Sequence, residues 1–234
     1  MKIELWSDFA CPFCYIGKKR FEQALEKFPH KDQVEIILKA YQLNPNAPKV
    51  MTKGPAESFA KGHGMTVEQA KQRFEMFVEQ AKTVGLTYNY DAIQMTNSFD
   101  AHRLAKWANQ FGKEYEVTDR LMKAYFTDGL NIADSDTLGA LAAEVGLDKT
   151  VALTVLKGKD YADQVQAEMT EAREVGVQGV PFFVLNRKYG ISGAQPVEYF
   201  SQVLETLWEE EKPQFKTVEG SKKGSYCDDE TCEV

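Results

Sequence analysis

The chain has 234 residues, 43% hydrophobic and 12% aromatic, enough for one large domain or a domain carrying an insertion. Its net charge of -7 argues against a nucleic-acid or anionic-membrane surface, and short basic runs such as Lys18-Lys19-Arg20 read as solvated surface. No stretch reaches the roughly 18 to 20 apolar residues of a membrane helix, and the opening MKIELWSDFACPFC lacks the basic-then-apolar order of a secretory signal, so a cytoplasmic location is expected.

Ile3 to Ser7 reads as a short buried strand. A helix follows from Pro12, because proline at the first helical position loses no hydrogen bond. Cys14, Phe21, Leu25 and Phe28 recur at helical spacing, and Pro29 stops the run. Val34 to Tyr41 is nearly continuous apolar sequence, as in a strand covered on both faces. Strand, helix, strand implies a parallel pair. Residues 44–64, rich in Pro, Gly and Asn, read as a loop. Thr66 and Gln69 make a capping box for a helix whose apolar face carries Phe74 and Phe77, with Gly85 as a stop. From Asn97 to about Glu174 the periodicity stays helical.

Strand character returns at Phe182 to Leu185 and Tyr189 to Ser192, joined by a turn at 186–188. Pro196 then opens a helix with Phe200, Leu204 and Leu207 on one face. After Trp208 the chain turns polar and charged and reads as a mobile tail. The expected organisation is a sheet domain over 1–43 and 175–210, a helical insertion over 44–174, and a tail over 211–234.

The chemistry lies in Cys11-Pro12-Phe13-Cys14. In a cytosolic chain, paired cysteines are more often catalytic or metal-binding than structural. A helix start favours thiolate, and C-x-x-C motifs there lower a thiol pKa to roughly 3.5 to 7.5. The pair therefore reads as a redox couple, with Cys11 the exposed attacking sulfur and Cys14 the buried resolving one. Two inert thiols, or a zinc site shared with Cys227 and Cys232, are the competing readings. Pro181 opens a strand, where a missing N–H costs no ladder bond. A cis bond after Val180 would turn the chain sharply beside the cysteines and present Val180 to an extended substrate.

Together SDFACPFCYIGKKRFE, NSFDAHRL, GVQGVPFFV and ISGAQP resemble the DsbA family of thioredoxin-fold oxidoreductases, and within it the FrnE-like branch of dithiol–disulfide isomerases. The resemblance runs from about Met1 to Trp208. It implies an α/β thioredoxin-like fold interrupted by a large all-helical insertion, with Cys11 as nucleophile, Cys14 as resolving cysteine and Pro181 as cis-proline. Pro12, Phe13, Val180 and Pro181 become candidate substrate-binding residues. Protein thiols and disulfides are the expected clients, with a cellular thiol reductant as partner. No cofactor is expected beyond the redox-active disulfide, and no resident metal, with glutathione a possible reductant or co-substrate. Strongly oxidising relatives carry histidine where this chain has Phe13, which implies a less oxidising couple. Glutathione-dependent transferases and isomerases on the same scaffold carry serine at the nucleophile position; a small-molecule reaction is thus the enzyme alternative, and a zinc-binding or holdase module the non-enzymatic one.

His102 and Arg103 read as a satisfied helix pair, with an approach of His102 to the active site as the alternative; His30 and His63 read as surface residues. In the tail, Cys227 and Cys232 flank Asp228-Asp229-Glu230-Thr231. Nearby carboxylates disfavour thiolate, so this second pair is expected to be the better reductant. Residues 211 to 226 would give it a reach of roughly 20 to 24 Å, enough to relay electrons to the Cys11–Cys14 disulfide.

Overall fold

The computed structural model describes residues 1–212 and, beyond them, the backbone of two dipeptide strands. Strand β1 (Lys2–Ser7) leads into α1 (Pro12–Lys27) and then β2 (Glu35–Ala40). Seven helices follow: α2 (Pro55–His63), α3 (Val67–Lys82), α4 (Phe99–Asn109), α5 (Glu114–Phe126), α6 (Ser135–Glu144), α7 (Lys149–Lys157) and α8 (Ala162–Glu174). The chain returns as β3 (Phe182–Leu185), β4 (Tyr189–Ser192) and α9 (Val197–Glu211). The main sheet runs β2-β1-β3-β4, with β1 and β2 parallel and the other pairs antiparallel. This is the expected thioredoxin-like α/β arrangement.

One face of the sheet is closed by α1 and α9. Ile3, Leu5, Phe183 and Leu185 pack there on Phe21, Ala24, Phe200 and Leu204. Phe21, Phe183 and Phe200 form a triangle of rings with centroids 4.8 to 5.6 Å apart. Alternation along the strands and the 3.6-residue period along α9 put these residues on one side.

Three expectations are corrected. Strand β2 is not continuously buried: it is an edge strand, with Glu35 exposed, Ile36, Ile37 and Lys39 half-buried, and Leu38 and Ala40 buried. The stretch 44–64 is not all loop, because α2 occupies Pro55–His63 between Pro55 at its first turn and Gly64 in the left-handed conformation, φ 64°. Helix α9 continues past Trp208 to Glu211. The capping box forms, with Gln69 N–H donating to Thr66 Oγ1 at 3.2 Å and Thr66 N–H donating to Gln69 Oε1 at 2.9 Å.

The open edge of β2 is tied to the helices by side chains. Lys106 of α4 donates to Leu38 O at 2.6 Å, and Ala40 N–H donates to Glu168 Oε2 of α8 at 2.7 Å. Lys106 also lies 2.8 Å from Glu114 and 3.0 Å from Glu168. An edge strand leaves backbone groups without partners, and here charged side chains supply them. Arg103 does similar work at the end of α7. Its guanidinium donates to Val155 O at 2.6 Å, Gly158 O at 2.9 Å and Leu156 O at 3.3 Å, three carbonyls a helix end leaves free.

The tail expected over 211–234 lies outside the described residues from 213 on, apart from β5 (Tyr226–Cys227) and β6 (Cys232–Glu233). These pair antiparallel with Cys227 opposite Cys232.

Candidate active site

Cys11 is the residue before α1 and Cys14 is the third residue of the helix. Asp8 O accepts from Cys11 N–H at 3.1 Å, closing a tight turn between β1 and the helix, and Cys11 O accepts from Cys14 N–H at 3.1 Å. Both cysteines are free thiols. Cys11 Sγ donates to Val180 O at 3.5 Å, and the Val180–Pro181 peptide bond is cis. Val180 N–H donates to nothing among the described residues.

The expected exposure of Cys11 is corrected: it is 3% exposed, against 0% for Cys14. The helix start alone would leave Cys11 open. The intervening helices close over it, and both sulfurs sit in the same apolar cluster as Phe77, Tyr88, Tyr90 and Phe126. Tyr88 donates to Pro12 O at 2.7 Å, clamping the first turn of α1, and Phe13 meets Phe77 edge-on at 5.4 Å. Cys11 faces a chamber of about 1110 Å³ lined by Phe13, Phe59, Phe77, Tyr90, Val180 and others. Of the dipeptide between the sulfurs, Phe13 is 39% exposed.

Burial pushes the Cys14 thiol well above its ordinary value. The neighbouring Cys11 adds to the rise, as does the Asp8 charge, while the Asp8 backbone N–H, 3.5 Å from Cys14 Sγ, works against it. Cys14 is thus protonated at rest, which suits a thiol held back until a mixed disulfide forms.

Sequence reasoning missed three residues here. Asp8, 1% exposed, sits beneath the cysteines; the signal was a carboxylate wedged between an apolar strand and the C-x-x-C. Gly17 packs α1 on the Pro181 turn: a Cβ there would stand 2.9 Å from Pro181 Cγ and 3.2 Å from Ala194 Cα. Tyr88 had no local signature. His102 and Arg103 are both satisfied on α4, by different partners: Arg103 caps α7, and His102 turns the other way, its Nε2 2.9 Å from Tyr41 O and 3.6 Å from Asp8 Oδ1. His30 stacks on Trp208 at 3.9 Å, and His63 lies exposed at the chamber mouth. Among the described residues no group of three His, Cys, Asp or Glu side chains is placed to hold a metal ion. The zinc and relay readings of Cys227 and Cys232 depend on side chains outside the described residues. No helix among the described residues is long and apolar enough to cross a membrane.

Comparisons with known proteins agree with this fold. A crystal structure of a probable DsbA oxidoreductase from Streptomyces coelicolor is 37% identical, covers 100% of this chain and 99% of its own, and superposes with a TM-score of 0.86. An uncharacterised Bacillus subtilis protein, YwbO, is 28% identical over 204 residues, 86% of this chain and 94% of its own. The cytosolic disulfide reductase DsbM of Pseudomonas aeruginosa, solved with glutathione, shares the fold at 16% identity and TM-score 0.64, covering 89% of this chain and all of its own. Residues 2–205 match the model of the DSBA-like thioredoxin domain, and the chain belongs to that family.

Proposed function

We propose that the chain is a thiol–disulfide oxidoreductase or isomerase acting on protein cysteines in the cytosol. The observation that carries this is the contact of Cys11 Sγ with Val180 O beside the cis Val180–Pro181 bond, at the wall of a large chamber. Cys11 thiolate attacks a client disulfide, forming a Cys11–client disulfide and releasing one client thiolate, which takes up a proton. Cys14 then attacks the Cys11 sulfur, the second client thiol leaves, and two electrons have passed from the dithiol to the client. In isomerisation a client thiol resolves the mixed disulfide instead and Cys11 is regenerated. The lack of a partner for Val180 N–H among the described residues supports its pairing with an extended client strand. Reduction of the Cys11–Cys14 disulfide falls to a cellular thiol, glutathione or the tail pair Cys227 and Cys232. Loss of insulin reduction and of scrambled-ribonuclease refolding in Cys11→Ser is the expected result; retained activity refutes the reading.

A second reading rests on the burial of Cys11: a chamber of this size also suits a small molecule. Turnover of a small electrophile that needs glutathione and survives Cys14→Ser would favour it.

A further inference from the structure

The chain carries a net charge of -7, yet the chamber before Cys11 is lined by cations. Lys53 ahead of α2, Lys61 in its last turn and Arg73 on α3 all line it, and all three are exposed. The one carboxylate among the described lining residues is Asp8, 1% exposed and held by the N–H groups of Ala10 and Leu43. None of the three cations stands in an ion pair among the described residues, whereas Lys49 lies 2.8 Å from Asp100. Like charges around a concave wall focus a positive potential there, against the sign of the chain as a whole.

The rest of the wall is apolar and adaptable. Met51, Met65 and Met95 join Phe59 and Phe77 in it, and unbranched thioether side chains fit varied shapes. Two hydrogen-bond donors interrupt this lining. Tyr90 and Tyr125 are 8% and 3% exposed, and neither hydroxyl has a hydrogen-bond partner among the described residues, so each is left to donate to whatever enters. Burial raises both phenols above their ordinary value. Tyr125 adds to the rise at Tyr90, and the Asp8 charge adds to it at Tyr125, so both stay protonated and able to donate. At about 1110 Å³ the chamber stands slightly above the roughly 300 to 1,000 Å³ of small-ligand pockets, which leaves room for several residues of an extended chain.

Resting on the thiol-exchange reading above, we propose that the client segment drawn into this chamber is an acidic one: carboxylates close to the client cysteine lie against Lys53, Lys61 and Arg73, and the hydroxyls of Tyr90 and Tyr125 donate to carbonyl oxygens of its backbone. The cations gather the client and select it by charge, the methionines accept differing apolar side chains beside the acids, and the phenols hold the backbone while Cys11 attacks. Without the cations the net negative charge of the chain would turn such a client away.

The test uses the full chain with Cys227→Ser and Cys232→Ser, reduced and mixed in single turnover with peptides of equal length whose cysteine is disulfide-bonded to 2-pyridyl sulfur. Attack by Cys11 forms the Cys11–peptide disulfide, breaks the bond to the pyridyl sulfur and releases 2-thiopyridone, followed by its absorbance. Glutamates flanking the cysteine should raise the second-order rate constant at least about tenfold over glutamines at low salt, and the advantage should shrink as salt is added. Combined Lys53→Gln, Lys61→Gln and Arg73→Gln should bring the acidic-to-neutral ratio below about twofold. Combined Tyr90→Phe and Tyr125→Phe should lower the rate with peptides, relative to 2,2'-dipyridyl disulfide, by about threefold or more. Equal rates for acidic and neutral peptides, an acidic preference that survives the triple replacement, or an unchanged peptide-to-dipyridyl ratio in the tyrosine variant overturns the proposal. A glutathionyl 2-pyridyl disulfide that matches the acidic peptide also overturns it, because the cations would then serve a small thiol. A parent protein that reacts with dipyridyl disulfide no faster than Cys11→Ser refutes the thiol-exchange reading itself, a separate failure.

Discussion

Between the sheet and helices α1 and α9, Ile3, Leu5, Phe183 and Leu185 meet Phe21 and Phe200 in an apolar cluster. At the β2 edge, Lys106 and Glu168 are buried together with the carbonyl of Leu38 and the amide of Ala40, beside half-buried Glu114. Both regions are largely closed to solvent, yet one is held by area and the other by charge. The apolar face tolerates changes of pH and loses stability with volume. The β2 edge tolerates nothing that removes one partner, because the desolvation of the others is then uncompensated.

Two substitutions test that difference. Phe200→Ala should cost about 3 to 5 kcal/mol, by the same amount at about pH 5 and about pH 8. Lys106→Met should cost about 3 to 5 kcal/mol near neutrality but less in acid. Burial already holds the Glu114 carboxyl above its ordinary value of 4.5, against the pull of Lys106. A carboxyl raised in the folded state supports the fold below its unfolded value and withdraws that support as pH rises through its folded value. Without the lysine this loss grows, so the deficit of Lys106→Met narrows toward low pH. Denaturant midpoints across pH read both, and parallel curves for the two variants would break the comparison.

Glu22 sharpens it from the opposite side. Burial raises its carboxyl, but Lys18, Lys19 and Tyr115 prevail and hold it below 4.5. Its contribution is present above the unfolded value and is lost as pH falls through the folded one. Glu22→Gln should cost about 1 to 2 kcal/mol at neutral pH, a gap that closes below about pH 4. The smallest effect is expected for Tyr88→Phe, which removes one hydrogen bond to Pro12 O, at about 0.5 to 1 kcal/mol. Its clearer readout is faster alkylation of Cys11 as the clamp on α1 loosens.

The apolar face was legible in the sequence because its signals are local: the spacing of Phe200, Leu204 and Leu207, the strand at Phe182 to Leu185, the capping box at Thr66. Helix α2 was not, although Pro55 and Gly64 are sound start and stop residues; read as composition, the same two residues look like loop. Cys11, Cys14 and Pro181 were visible as motifs. The burial of Cys11 was not, since it comes from Phe77, Tyr90 and Phe126, distant in sequence and indistinguishable there from ordinary helix core. Lys106 and Glu168 were hidden for a related reason. A charged residue in a helical pattern reads as solvent-facing, and only the fold shows which ones have an interior partner.

The way β2 is closed also bears on how such a chain can vary. A fifth strand would demand a ladder in register along the whole edge. Here the edge asks for one ammonium opposite Leu38 O and one carboxylate opposite Ala40 N–H. Helices α2, α3, α6 and α7 supply neither of these groups nor the Glu114 beside them, so they can lengthen, shorten or shift without reopening the sheet. The cover over the cysteines is therefore free to be reshaped for new clients while the sheet beneath it keeps its border.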